Sequence, residues 1–124
     1  MKEFIVLIYV YGMPVLKLSP EKQQKHIEKV GKFIASLANN GRLKNAQPFE
    51  PRGISITGIQ GVFQQTELNA GEKDIVGFYH VVANDVEEVS ALIRTDPRFE
   101  DTDWRVDIWP ILELQQINEA VKNH

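Results

Sequence analysis

The sequence predicts an α+β fold, and two observations carry that prediction. The order strand–helix–strand occurs twice, starting from the apolar run Phe4-Ile5-Val6-Leu7-Ile8-Tyr9-Val10 and again from Ile75-Val76-Gly77-Phe78-Tyr79-His80-Val81-Val82-Ala83. Each run leads into an amphipathic segment with its own helix start, Ser19-Pro20 in the first copy and Asp85 in the second. Such an order is the split βαβ pattern of a ferredoxin-like domain, βαββαβ with an antiparallel sheet. The copies share little residue identity, so the repetition is architectural. With 124 residues and no low-complexity break, residues 1–124 read as a single domain.

The first element, residues 3–10, is almost continuously apolar and rich in β-branched types. A run of that kind predicts a strand buried on both faces. Gly12 and Pro14 then break the chain. Ser19-Pro20-Glu21 opens a helix: a hydroxyl to cap an orphan amide, a proline at the first helical position, and an acid at the positive end of the dipole. Ile27, Val30, Phe33, Ile34 and Leu37 form its apolar stripe. Asn39-Asn40-Gly41 ends it, with Gly41 suited to the left-handed conformation.

Arg42 to Phe49 reads as a strand stopped by Pro48 and Pro51. Between 52 and 74 the pattern is weaker: Gly53 to Thr57 alternates, and Ile59 to Gln65 continues that strand or returns as a ribbon. The strand at 75–83 has apolar residues in both phases, so a cover is expected on its second face as well. Asp85 with Glu88 makes a capping box for a second helix, whose inner stripe is Val86, Val89, Leu92 and Ile93. Asp96-Pro97 stops that helix. Trp104 to Leu112 alternates as a half-buried strand. Leu114, Ile117 and Val121 are spaced for one face of a short C-terminal helix over 113–122.

Composition narrows the function. An apolar fraction of 43% and a charged fraction of 25% are ordinary for a globular protein. The net charge of −3, with no basic block, argues against nucleic acid as a partner. The chain has no cysteine, which excludes disulfides, a thiol nucleophile and thiolate metal sites and fits a reducing cytoplasm. The first apolar run is too short to span a membrane and lacks a signal-peptide cleavage site. A cytoplasmic protein with no membrane partner is expected. Three scattered histidines make no metal site, and no cofactor motif is present.

His26 is the leading candidate for chemistry. It precedes Val30, Phe33 and Leu37 by helical spacings, so it lies on the apolar face in the first turns of its helix. An imidazole at the edge of a buried face can shuttle a proton; it can equally be a satisfied structural histidine. In the last strand Arg105, Asp107 and Trp109 share a phase opposite to Val106 and Ile108. With Tyr9, Tyr11 or Tyr79 they would line a small-molecule cleft, or else form an exposed strand face. His80 reads as a packing histidine. Glu100, Asp101 and Asp103 read as a solvated acidic turn. Because both helices are expected on one sheet face, an identical subunit is the simplest cover for the other, giving a two-fold homodimer.

Several of these segments resemble one family. Phe4-Ile-Val-Leu-Ile-Tyr9, the Ser19-Pro20-Glu21 opening, the Asn40-Gly41-Arg42-Leu43 exit, Gly77-Phe78-Tyr79 and the Asp96-Pro97 stop are similar to the YCII-related proteins and their DGPF-domain relatives. The resemblance covers nearly the whole chain. It implies a ferredoxin-like subunit that forms a dimeric α+β barrel. It also implies proton-transfer chemistry by a histidine paired with an aspartate near the end of the first helix. His26 matches the histidine; Asn39 or Asn40 stands where the aspartate would be, and an amide cannot act as an anionic partner. The DGPF motif reads Gln60-Gly61-Val62-Phe63.

Two function classes follow. One is an enzyme of lyase or isomerase type acting on a small aromatic or lactone-like ligand, with His26 as acid or base. The other is a non-catalytic dimer that binds a small molecule or a protein. An accessory subunit docking through the tail at 113–122 is a third.

Overall fold

The computed structural model describes residues 1–11, 15–50, 52–69 and 75–113. The elements run in the order β1 (Lys2–Tyr11), a 3-10 turn (Val15–Lys17), α1 (Pro20–Asn39), β2 (Leu43–Pro48), β3 (Arg52–Ile59), β4 (Val62–Asn69), β5 (Ile75–Ala83), α2 (Val86–Ile93), α3 (Arg98–Asp101) and β6 (Asp103–Pro110). Four strands form an antiparallel sheet in the order β2-β5-β1-β6, and β3 and β4 form a separate ribbon.

Local chemistry sets the helix ends. The Ser19 hydroxyl accepts from the Lys22 amide at 3.3 Å, with Pro20 in the first turn. Gly41 has φ +70°, and the Gly41 and Arg42 amides return to the carbonyls of Ala38 and Leu37. Asp85 accepts from the Glu88 amide at 2.8 Å to start α2. Beyond α2, Asp96 accepts from the Arg98 amide at 3.0 Å and starts the short α3.

The core lies on one face of the sheet. Phe4, Val6 and Ile8 of β1 and Tyr79, Val81 and Ala83 of β5 meet Val89 and Ile93 of α2, with Phe33 and Ile34 of α1 packed against them. The alternate residues Ile5, Leu7, Phe78, His80 and Val82 are only half-buried. The expectation that β1 and β5 are buried on both faces is therefore corrected within this chain: α1 and α2 cover a single face, and nothing among the described residues covers the other as fully.

The expected fold class is also corrected. A βαββαβ subunit completed as a dimeric α+β barrel is not what forms. Two further strands separate β2 from β5 and make their own sheet, and neither sheet is closed into a barrel or strongly curled. The architecture is α+β with two sheets. The ribbon turns through Gln60 and Gly61, at φ 49° and 80°, which is the pair of left-handed residues a two-residue hairpin needs. Ile54, Ile56, Ile59, Val62, Phe63 and Leu68 of the ribbon are all exposed. The expected helix over 113–122 falls at and beyond the last described residue. No described helix is long and apolar enough to cross a membrane.

Candidate functional site

Helix α1, the end of α2 and the segment leading into β6 converge on a buried polar network. His26 sits two turns into α1, on its inner face, and its side chain is 7% exposed. Its Nδ1 lies 3.0 Å from Asp101 Oδ2. Asp101 ends α3, so the reading of Glu100, Asp101 and Asp103 as a solvated turn is corrected at Asp101. Glu100 does face water, in a 3.3 Å pair with Lys29. The Asp–Pro stop turns the chain back toward α1, and that turn carries Asp101 to the histidine.

The imidazole stacks nearly parallel on Trp104, with centroids 6.1 Å apart. On the same indole, 5.7 Å from its centroid, lies the Arg98 guanidinium, which is also 5.2 Å from the Tyr79 ring. Arg98 Nη1 donates to the Tyr79 hydroxyl and, at 2.8 Å, to Asp96 Oδ2. Asp96 is almost wholly buried, its charge shared between that guanidinium and the Arg98 amide. Burial pushes the Tyr79 phenol above its ordinary value, against the pull of Arg98, so it stays protonated. The Trp104 Nε1 and Thr102 Oγ1 atoms are buried with no hydrogen-bond partner among the described residues. A cleft of about 210 Å³ opens beside Tyr79 and Arg98, between α1 and the end of the sheet.

The remaining expected site residues lie on the other side of the sheet. Tyr9, Arg105, Asp107 and Trp109 are on the bare face, where Arg105 lies 4.8 Å over the Tyr9 ring and makes two bonds to Asp107, at 2.7 and 3.1 Å. That pairing holds the Asp107 carboxyl below its ordinary value. Tyr79 is thus separated from the four by the thickness of the sheet, because its partner in register is Val6 while Tyr9 belongs to the opposite phase. His80 is half-buried on the bare face, 2.9 Å from Glu3, which also holds Lys44 at 2.7 Å. Lys44 first, and then His80, pulls the Glu3 carboxyl down.

Sequence reasoning singled out His26 but not Asp101, Asp96, Arg98 or Trp104 as its neighbours. Asp101 is 75 residues away in the chain, and no spacing rule connects them. The one local signal was Asp96-Pro97-Arg98, read only as a helix stop. Among the described residues no group of three His, Asp or Glu side chains could hold a metal ion.

No family model and no curated protein matches the chain. The resemblance to the YCII-related and DGPF-domain proteins is corrected accordingly. Its motifs are short apolar strands and helix starts, which unrelated α+β chains share for the physical reasons given above.

Proposed function

We propose that the protein binds a small organic molecule beside this network and moves a proton on it, with His26 as acid or base. The observation that carries the reading is the 3.0 Å contact between Asp101 and His26 Nδ1. A carboxylate on Nδ1 fixes the tautomer with the proton there and leaves Nε2 to take or give a proton. Trp104 holds the ring plane, and the apolar cleft beside Tyr79 suits a small aromatic or lactone-like ligand in a lyase- or isomerase-type step. The cysteine-free composition agrees with a cytoplasmic setting.

A thermal-shift screen with small aromatic acids, phenols, quinones and lactones, followed by product detection for every hit, tests this. Turnover is expected to fall by about a hundredfold or more in His26→Ala and in Asp101→Asn, both remaining folded. Unchanged turnover in His26→Ala would remove the histidine from the chemistry.

A second reading, a non-catalytic binding module, is favoured by the depth of His26, whose slight exposure suits a structural role. It expects saturable binding without a converted product. In either reading the chain is proposed to act as a homodimer. The support is the bare face, where Ile5, Leu7 and Phe78 are half-buried and Trp109 is 61% exposed. Sedimentation should show a dimer that Trp109→Glu weakens; a wild-type monomer at high concentration counts against it.

A further inference from the structure

The cleft at the end of the covered face carries a feature that proton transfer by His26 does not use. Its volume of about 210 Å³ holds roughly seven water-sized groups at about 30 Å³ each. That is below the roughly 300–1,000 Å³ of sites for drug-sized ligands. Ile8, Ile34, Ala46 and Val76 give it apolar walls, while Tyr79 and Arg98 bring the charged and hydroxyl groups. Pro48, exposed at the end of β2, stands at its rim.

The space exists partly because of Gly77. The next residues on that face of β5 are the buried Tyr79 and Val81, but position 77 has no side chain. A Cβ there would come within 2.7 Å of the Gln47 carbonyl oxygen, so the close approach of β2 requires glycine and leaves the face unfilled at this point.

Arg98 decides what the space would hold. One nitrogen, Nη1, serves both Tyr79 and Asp96. Its Nε and Nη2 have no partner among the described residues. Those two atoms form the side-on fork of a guanidinium, two parallel N–H donors spaced for the two oxygens of a carboxylate. The side chain is 14% exposed, and neither of these atoms is among the buried donors that lack a partner, so water reaches this edge and a carboxylate there would take the place of water. Asp96 does not accept from that edge: its Oδ1 takes the Arg98 amide and its Oδ2 takes Nη1. It holds the guanidinium through Nη1, and Arg98 is among the residues that line the cleft.

We infer that this cleft binds a small carboxylic acid with an apolar body. The carboxylate sits on the Nε/Nη2 edge of Arg98, within reach of the Tyr79 hydroxyl, and the body lies between Ile34 of α1 and the end of the sheet. The inference names the ligand class for the function proposed above and rests on that reading only in placing a small molecule in this region.

Titration of the whole protein with benzoate and with its neutral counterpart benzamide, followed by backbone amide NMR shifts, tests it. Benzoate is expected to bind saturably at millimolar concentration or better and to move the amides of Ala46 and Gly77. Benzamide is expected to bind at least about tenfold more weakly. Arg98→Lys keeps a cation for Asp96 but loses the fork, and should weaken benzoate about tenfold or more. Ala46→Phe fills the cleft and should abolish binding, with its melting curve confirming that it is folded. Saturable benzoate binding that is lost in Arg98→Lys supports the assignment whether or not any ligand is converted, so the failure of this claim and of proton transfer by His26 are read from separate measurements. Equal affinity for benzoate and benzamide, unchanged binding in Arg98→Lys, or no saturable shift in wild type would overturn the assignment.

Discussion

The two faces of the sheet carry the same three residue types in nearly the same contact. On the covered face Arg98 lies over Tyr79 and bonds Asp96; on the bare face Arg105 lies over Tyr9 and bonds Asp107. Both ion pairs close within a tenth of an ångström of each other, at 2.8 and 2.7 Å. What differs is water. The Arg and Asp side chains are 14% and 1% exposed in the first pair, and 55% and 27% in the second. Attraction between charges grows as the local dielectric falls, and so does the penalty for leaving either charge alone. The same residue types, joined through one guanidinium nitrogen on the covered face and two on the bare face, therefore make a fixed element of the interior in one place and an adjustable surface pair in the other.

Cutting each pair on the arginine side should expose that difference most clearly. Arg98→Met leaves the Asp96 carboxylate buried without its counter-charge and should cost about 3–5 kcal/mol in urea unfolding. The same change at Arg105 should cost about 0–1 kcal/mol. Equal losses would mean that the bare face is covered in solution, and would strengthen the case for a dimer through it.

Asp101→Ala comes next. It leaves the Nδ1 of a buried imidazole without an acceptor and should cost about 1–3 kcal/mol. The loss should be recovered only in part by Asp101→Asn, whose amide oxygen can accept but carries no charge. No loss at all would show that water serves His26 as well as Asp101 does.

The smallest effects are in the pH dependence, and they have opposite signs on the two faces. Burial raises the folded value of Tyr79 above its ordinary value of about 10. Its contribution is therefore complete below about pH 10 and is lost as the pH rises through the folded value; Tyr79→Phe should flatten the alkaline arm of a stability profile. Asp107 is lowered by Arg105, so its contribution is present above about pH 4 and is lost as the pH falls through the folded value. Asp107→Asn should flatten the acid arm, only slightly, since the pair is solvated. Glu3, lowered mainly by Lys44, acts in the same direction. An acid arm that collapses in Asp107→Asn would again point to a covered bare face.

Much of the main sheet was legible because its signals are local. Ser19-Pro20 and Asn40-Gly41 bound α1 through hydrogen bonds made within a few residues. The apolar runs at 3–10 and 75–83 mark β1 and β5, and alternation marks β6. The ribbon was half-legible: Gly53 to Thr57 alternates, but Gln60-Gly61 is a weak turn signal, because only the backbone shows that Gln60 takes a positive φ. Within one chain the helices cover a single face of β1 and β5, and the apolar residues of the other phase are half-buried, because an apolar residue is equally at home facing a helix or a partner. His26 was found from its place on a helical stripe. Its partner was sought along the same helix, at Asn39 and Asn40, whereas Asp101 comes from the far end of the chain.

By itself the sequence determined the four strands of the main sheet and the two longer helices, where α1 and α2 stop, and that His26 faces inward. Caps, glycine conformations and side-chain periodicity act within a few residues and need no knowledge of the rest. The tertiary structure alone decided that Asp101 meets His26 and that Arg98 joins Tyr79 to Asp96. It also set Tyr9, Arg105, Asp107 and Trp109 on the opposite face from Tyr79, and left the sheet open rather than closed. Those outcomes depend on strand order and on how deeply each charge is withdrawn from water, and both are properties of the packed chain rather than of any segment of it.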